Sequence, residues 1–513
     1  MLSGKGLQVG GGVKPVVVKQ EQEFSPLGCR RRLESPAMAL SRRSPAEAPV
    51  LFDIDPEPAP DLITGWAGLT LVAEAFRGLR LGESANRHLA IKERQRGFDE
   101  GTYVESFVLL NAAGGDCLDD FDPLRQDRAL EQLIGHALPS PEAARKFLYA
   151  FHDPGKIEEA QQRLGPEATS YIPEESEPLR GLARVNVDLV KELARRCADQ
   201  KIATIDLDGT IIESHKQEAL PTYQGSTGYQ PVVALWAEMD VIVAEQFRDG
   251  NVSAQHDPLS VTRQAYQALP EHITERWFRG DAGCYEQELL RWLRNGQRPA
   301  GPEGFIGFAI SARMSDSLKE RARLLPEALW KPYREDADAI LECAELYNYD
   351  PLEKKAGEEL DQVRYLVIRV RSRQGVLFGG RTMKYFAVVT NIWGGWPAKK
   401  LLEWHREKAG SIEAIHDVMK NELAAGVLPC GRFGANAAWF RMAAIAHNVL
   451  TALKRLALPP ELLRARPKRL RFLFLNAPGR LVHHARKIVL RLGLGAQRIR
   501  EWLQARPLLA APA

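Results

Sequence analysis

Residues Ile202-Ala203-Thr204-Ile205-Asp206-Leu207-Asp208-Gly209-Thr210 leave this chain fewer choices than any other stretch. Side chains alternate faces along a strand. Ala203, Ile205 and Leu207 therefore face a core, Thr204, Asp206 and Asp208 face the other way, and Gly209 ends the strand. Carboxylates at the C-terminal end of a strand, beside a glycine turn, are well placed to hold a hard divalent cation. The same residues also fit an exposed edge strand closed by an Asp-Gly turn, with no chemistry attached.

The 513 residues are 45% hydrophobic and 26% charged, the composition of a globular protein with room for roughly two to four domains. The formal charge of +3 is unevenly spread, the last stretch being strongly basic. That asymmetry points to an acidic polymer as partner, nucleic acid before membrane. Six cysteines, at 29, 117, 197, 284, 343 and 430, include no Cys-x-x-Cys. That spacing argues against a structural zinc site, and the thiols read as reduced and cytosolic. No apolar run is long enough to span a bilayer, and no apolar h-region follows Lys5, Lys14 and Lys19.

Residues 1–60, rich in Gly, Pro, Ser and charge, read as a disordered leader, with Met38 as a possible later start. Residues 61–200 carry helical spacing at Leu69, Leu71, Val72, Ala75 and Phe76 and again at Leu130, Leu133 and Ile134. Ser140-Pro141-Glu142 opens a helix with an N-cap and a first-turn proline, and Val185 to Arg196 is a further amphipathic helix. Val232–Ala237 and Val241–Ala244 continue the strand at 202 as an antiparallel meander. A helix is expected over Val261–Leu269. Ile273–Gly280 is a short strand ending at Asp281 in a glycine-flanked turn, before a helix over Glu286–Arg294. An aspartate near a helix N-terminus is the plain alternative for Asp281. Residues 296–380 read as a β-rich insertion, with strands at Phe305–Ile310 and Val363–Arg371. Arg369 and Arg371 share one face of the second, a basic face. Tyr385–Thr390 then resumes the core. Glu413, His416, Asp417 and Lys420 fall at i, i+3, i+4 and i+7 of a helix capped by Ser411, a stripe that also suits a solvated face. Asn436–Leu453 is a buried apolar helix. Residues 456–513, with Lys468 and Arg469 among many basic residues and only Glu461 and Glu501 opposing, read as helices that contact phosphates. Trp393 and Trp396 read as loop packing, with stacking on an unpaired base as the alternative.

Asp208 after a strand, Asp281 after a strand and Glu413 on a later helix, with an insertion between the second and third, resemble the Asp-Asp-Glu transposases. Asp206-Leu207-Asp208-Gly209-Thr210, Arg279-Gly280-Asp281-Ala282-Gly283, Val388-Val389-Thr390-Asn391, Ile412-Glu413-Ala414-Ile415-His416 and Gly431-Arg432-Phe433-Gly434 are similar to bacterial insertion-sequence family thirteen-eighty over about residues 65–455. The resemblance implies an α/β fold. Its ribonuclease H-like core spans 201–295 and 381–455, the β-rich insertion fills 296–380, and 61–200 is a helical DNA-binding and dimerisation region. It implies Asp208, Asp281 and Glu413 as catalytic and metal-binding acids, with Asp206 second to Asp208. Two Mg²⁺ or Mn²⁺ ions would serve in-line phosphoryl transfer, and Lys420 would hold a terminal phosphate. The related tyrosine and arginine positions are occupied here by Arg406 and Ala409, with Arg406 or Lys408 as substitutes. The partners implied are terminal inverted repeats, target DNA and a second copy of the chain, in the bacterial cytosol at the nucleoid. Two alternatives remain. Asp206-Leu207-Asp208-Gly209-Thr210 also resembles the first motif of haloacid dehalogenase-like phosphatases. Against that reading, no convincing late Asp pair follows a strand, and the strands follow one another without crossover helices. The other alternative is an inactive, transposase-derived DNA-binding protein.

Overall fold

Runs of β-branched and aliphatic residues between 202 and 390 build one sheet of nine strands: β1 (Ile202–Gly209), β2 (Val232–Trp236), β3 (Val241–Gln246), β4 (Glu275–Gly280), β5 (Gly307–Ala312), β6 (Lys331–Glu335), β7 (Ala339–Leu346), β8 (Arg364–Ser372) and β9 (Met383–Thr390). The computed structural model describes residue 57 and residues 61–92, 97–164, 170–352, 358–372 and 383–510. The expected leader over 1–60, with Met38, lies outside the described residues apart from Glu57.

The spatial order is β6-β7-β8-β9-β5-β4-β1-β2-β3. The meander β1-β2-β3 is antiparallel, as the sequence indicated. β1 also pairs in parallel with β4, and β4 in parallel with β5. Helices Pro258–Ala268 and Gln287–Arg294 intervene before β4 and β5 respectively. The expectation of strands without crossover helices is thus corrected: parallel neighbours need a long connection, and these helices supply it. Every residue of β2 is buried, which is why that strand reads as a continuous apolar run instead of an alternating one.

Strand Gly307–Ala312, read in the sequence as part of an insertion, is the parallel neighbour of β4. Strand Met383–Thr390, read as core, lies antiparallel between it and β8. The ladder runs on without a break from β4 to β6.

At the other end of the sheet, β3 has an open edge. Between the paired positions Leu235/Ile242 and Ala234/Ala244 the register shifts, leaving Val243 over. The edge is closed by amide side chains instead of a further strand. Asn448 Oδ1 accepts from Ile242 N at 2.8 Å, while Asn448 Nδ2 and Asn186 Nδ2 donate to Ile242 O at 2.8 and 2.9 Å. Asn186 belongs to the helix Glu177–Arg196 and Asn448 to the helix Phe433–Ala457, which is buried over nearly its whole length. Covering an edge in this way removes a template for aggregation.

The region from 61 onward is helical, as expected, after a short strand Leu62–Thr64. Ser140 Oγ accepts from Ala143 N at 3.2 Å, confirming that N-cap. The tail departs from its expected form. It is not wholly helical: Gly479–His484 and Lys487–Leu492 form a hairpin, and Gly479–Leu481 pairs with Leu62–Thr64. The helix Ala496–Ala510 follows.

Candidate active site

The parallel register of β1 and β4 sets Asp206 opposite Arg279 and Leu207 opposite Gly280. One step further along both strands stand Asp208 and Asp281. Two aspartates thereby meet at the C-terminal ends of adjacent parallel strands, where open α/β sheets place their ligands. Asp281 Oδ1 accepts from Gly283 N at 2.9 Å and caps the turn Ala282–Cys284. Gly280 is required there, because a Cβ on it would lie 2.5 Å from Cys284 Cβ.

Asp206 is fully buried. Arg279 Nε donates to its Oδ1 at 2.6 Å and Arg279 Nη2 to its Oδ2 at 2.9 Å. Ser411 Oγ also donates to Oδ2. The guanidinium is itself enclosed: Nη1 donates to Trp404 O at 2.8 Å and to Glu407 at 3.3 Å, and the group lies 5.2 Å from the centre of the Trp404 ring. Such a bidentate pair fixes both strands. It also corrects the place of Asp206 as a second metal ligand, since both oxygens are engaged inside the protein. The same enclosure removes Asp206 as a phosphatase nucleophile.

Helix Ala398–Glu422 lies over this face of the sheet. It begins after Pro397, so Ser411 is a mid-helix residue and not the expected N-cap. The helix delivers Lys408, whose Nζ lies 3.0 Å from Asp208 Oδ2 with the side chain only 8% exposed. Burial pulls this ammonium down, but Asp208 and then Asp281 more than offset that, and its pKa stands above the ordinary lysine value. Burial, reinforced by Asp281, pushes the neighbouring Cys284 thiol well above its usual range, so it is no thiolate. Burial likewise holds His405 neutral, at about 4, with Nε2 donating to Gly280 O at 3.0 Å.

Glu413 is exposed on the same helix. It is five residues beyond Lys408, hence about 140° around the axis. Asp208, Asp281 and Glu413 are not gathered. Among the described residues, the set of three potential ligand groups lying within 4.8 Å of one another is Asp116, Cys117 and Asp120. There Asp120 Oδ2 accepts from Asp116 N and Cys117 N at 2.8 and 3.1 Å, which is capping of a turn. His416, next on the expected stripe, is buried with no hydrogen-bond partner at either ring nitrogen. Burial, with Lys420 and Lys408 adding to it, lowers its pKa to about 3. Lys420 Nζ reaches Ile211 O at 3.5 Å. It lines an open polar cleft of about 510 Å³ with Thr210, Glu213, Gln230 and the exposed Tyr223, directly beyond the end of β1.

The remaining expected DNA contacts divide. Lys468 and Arg469 are exposed. Arg369 is buried, donating to Glu342 at 2.7 Å and Glu327 at 2.6 Å beneath the Trp330 ring. Arg371 binds the same two carboxylates at 2.7 and 3.0 Å. The expected basic face is therefore taken up by ion pairs, a correction whose cause is the acids opposite. Trp396 packs with Trp277 and Trp404, and Trp393 stacks on Tyr347. Sequence reasoning gave no role to Arg279 and only a phosphate role to Lys408. The signal was the matched spacing of Asp206-x-Asp208 and Arg279-x-Asp281.

Among the described residues, no helix is long and apolar enough to cross a membrane. The family model described as Transposase DDE domain group 1 matches residues 61–503. Among solved structures, the chain is similar to a piggyBac transposase in a synaptic complex with hairpin DNA, determined by cryo-EM. That likeness has a TM-score of 0.41 and 10% identity, and covers 80% of this chain and 79% of that chain. No curated protein matches it.

Proposed function

The chain belongs to the DDE-domain transposases of group 1, and on that premise we propose that it cuts and rejoins DNA at the ends of an insertion sequence of the bacterial thirteen-eighty kind. The supporting observation is the pair Asp208 and Asp281 at the ends of adjacent parallel strands, with a buried lysine ammonium lodged against it as a stand-in cation. The order β3-β2-β1-β4-β5, antiparallel then parallel, supports a ribonuclease H-like core carrying β6–β9 as its insertion.

Hard carboxylate oxygens and a site already accommodating positive charge fit Mg²⁺ or Mn²⁺. Asp208 and Asp281 would hold the ion, and Glu413, exposed and set apart from them on the helix above, would reach it only in the DNA-bound protein. When bound, such ions activate the attacking oxygen and stabilise the leaving one in phosphoryl transfer. The protein supplies the rest. The Asp206–Arg279 pair keeps β1 and β4 in register, so the two outer aspartates stay adjacent. Lys420, at the cleft beyond β1, would hold a terminal phosphate while water attacks the scissile phosphorus and the 3′-oxygen departs. The freed 3′-hydroxyl would then attack the target phosphorus, displacing the target strand's own 3′-oxygen. Lys468 and Arg469 would add phosphate contacts. The helical region 61–200 would bind the terminal repeats or a second copy, in a bacterial cytosol.

The test is cleavage of DNA carrying the element's own ends, with Mg²⁺ or Mn²⁺, by wild type and by Asp208→Ala, Asp281→Ala and Glu413→Ala. Each variant is expected to bind the ends and fail to cut. Normal cutting by any one of them removes that residue from the site.

A further inference from the structure

We infer that Lys408 is an internal cation that takes the divalent ion's place beside Asp208 and Asp281 while the ion is absent, and that loading the ion expels it. The inference rests on the reading of these two aspartates as ion ligands.

Lysine is among the residues least often buried, yet this one is almost wholly enclosed and ends 3.0 Å from Asp208 Oδ2. Asp281 and the Cys284 thiol are its next electrostatic neighbours. His405 and His416, the nearby imidazoles, are held neutral by burial and add no positive charge. The ammonium is thus the positive charge set against the two aspartates. Without it, two carboxylates on neighbouring strand ends would face each other, and like charges so placed resist joint ionisation. An ion seated on Asp208 Oδ2 needs the position that Nζ now fills. The four-carbon stem lets the ammonium leave while the helix stays in place. Ion affinity is then set by competition, reduced by the fraction of molecules in which the lysine is seated.

The experiment is Mn²⁺ binding by isothermal titration calorimetry on the full chain without DNA, for wild type, Lys408→Met and Lys408→Arg. Lys408→Met is expected to bind roughly tenfold tighter than wild type, as when a competing occupied state is removed, and Lys408→Arg no tighter. If Lys408→Met binds no tighter while Asp208→Asn abolishes binding, the inference is overturned and the two-aspartate site stands. If neither wild type nor Lys408→Met binds Mn²⁺, both fall. Amine labelling of wild type read by mass spectrometry decides the matter should Lys408→Met not fold. Lys408 is expected to be protected without Mn²⁺ and labelled severalfold faster at saturating Mn²⁺, and an unchanged rate overturns the inference.

Discussion

Asp206→Asn separates the two aspartates of the central strand. In the wild type both oxygens of Asp206, fully buried, are engaged by Arg279 and Ser411. Asparagine offers one acceptor, and its amide turns donors toward a guanidinium that can only donate. Arg279 then keeps at most one neutral acceptor at position 206, with Trp404 O at 2.8 Å and Glu407 at 3.3 Å, the latter on a side chain 69% exposed. Leaving a buried charge without its partner costs about 3–5 kcal/mol. Asp208→Asn removes one charge-assisted contact, and Lys408 still faces Asp281. That loss is about 1.5–3 kcal/mol. Urea denaturation followed by circular dichroism should therefore rank Asp206→Asn as the less stable variant. Mn²⁺ titration should rank them the other way, with binding kept by folded Asp206→Asn and lost in Asp208→Asn. An Asp206→Asn protein as stable as wild type but unable to bind Mn²⁺ would refute the assignment of the inner aspartate to structure and the outer one to the ion.

Other consequences are as direct. His416 has a folded pKa of about 3, below the unfolded value of about 6.5, so the unfolded chain takes the proton first. Its contribution is complete above about pH 6.5 and is lost as pH falls toward 3, by up to about 1.4 kcal/mol per pH unit. His416→Leu should flatten that part of the stability profile measured by urea denaturation across pH, and an unchanged slope would contradict the buried neutral imidazole. Asn448→Leu leaves Ile242 O to Asn186 but strips Ile242 N and Asn186 Oδ1 of their Asn448 bonds and should cost about 2–4 kcal/mol, two buried groups being left unpaired. A thermal midpoint equal to wild type would show that the edge needs no such cover. Lys468→Ala with Arg469→Ala should make the plot of log affinity against log salt shallower by about 2 for DNA end fragments. An unchanged slope would clear both residues of phosphate contact. Deleting the tail is a poorer test, because Leu470, Phe474 and Leu475 are buried in the core.

The outer aspartates were legible because chemistry-bearing residues at strand ends beside glycine leave a local trace. Their inner partners were not, since pairing Asp206 with Arg279 depends on parallel register between strands 73 positions apart. Strand alternation placed Arg369 and Arg371 on one face but said nothing of Glu327 and Glu342 arriving from elsewhere. Lys408 was hidden by starting its helix at Ser411, when the helix begins at Ala398. The hairpin in the tail escaped because its turn places Ala485 and Arg486 at φ of 48° and 63°. Asn-Gly or Asp-Gly is the usual sign of such a turn.

The small sheet that joins Leu62–Thr64 to Gly479–Leu481 bears on how the molecule is made. A three-residue strand has no stability alone, and its partner leaves the ribosome only after the whole nine-stranded sheet has been synthesised. During translation Leu62–Thr64 must wait for its strand partner while the sheet forms behind it. The final stitch is thus a contact of very long sequence separation, the kind that forms slowly. A nascent or prematurely terminated polypeptide can own both aspartates and still lack the strand pairing that joins Leu62–Thr64 to the tail.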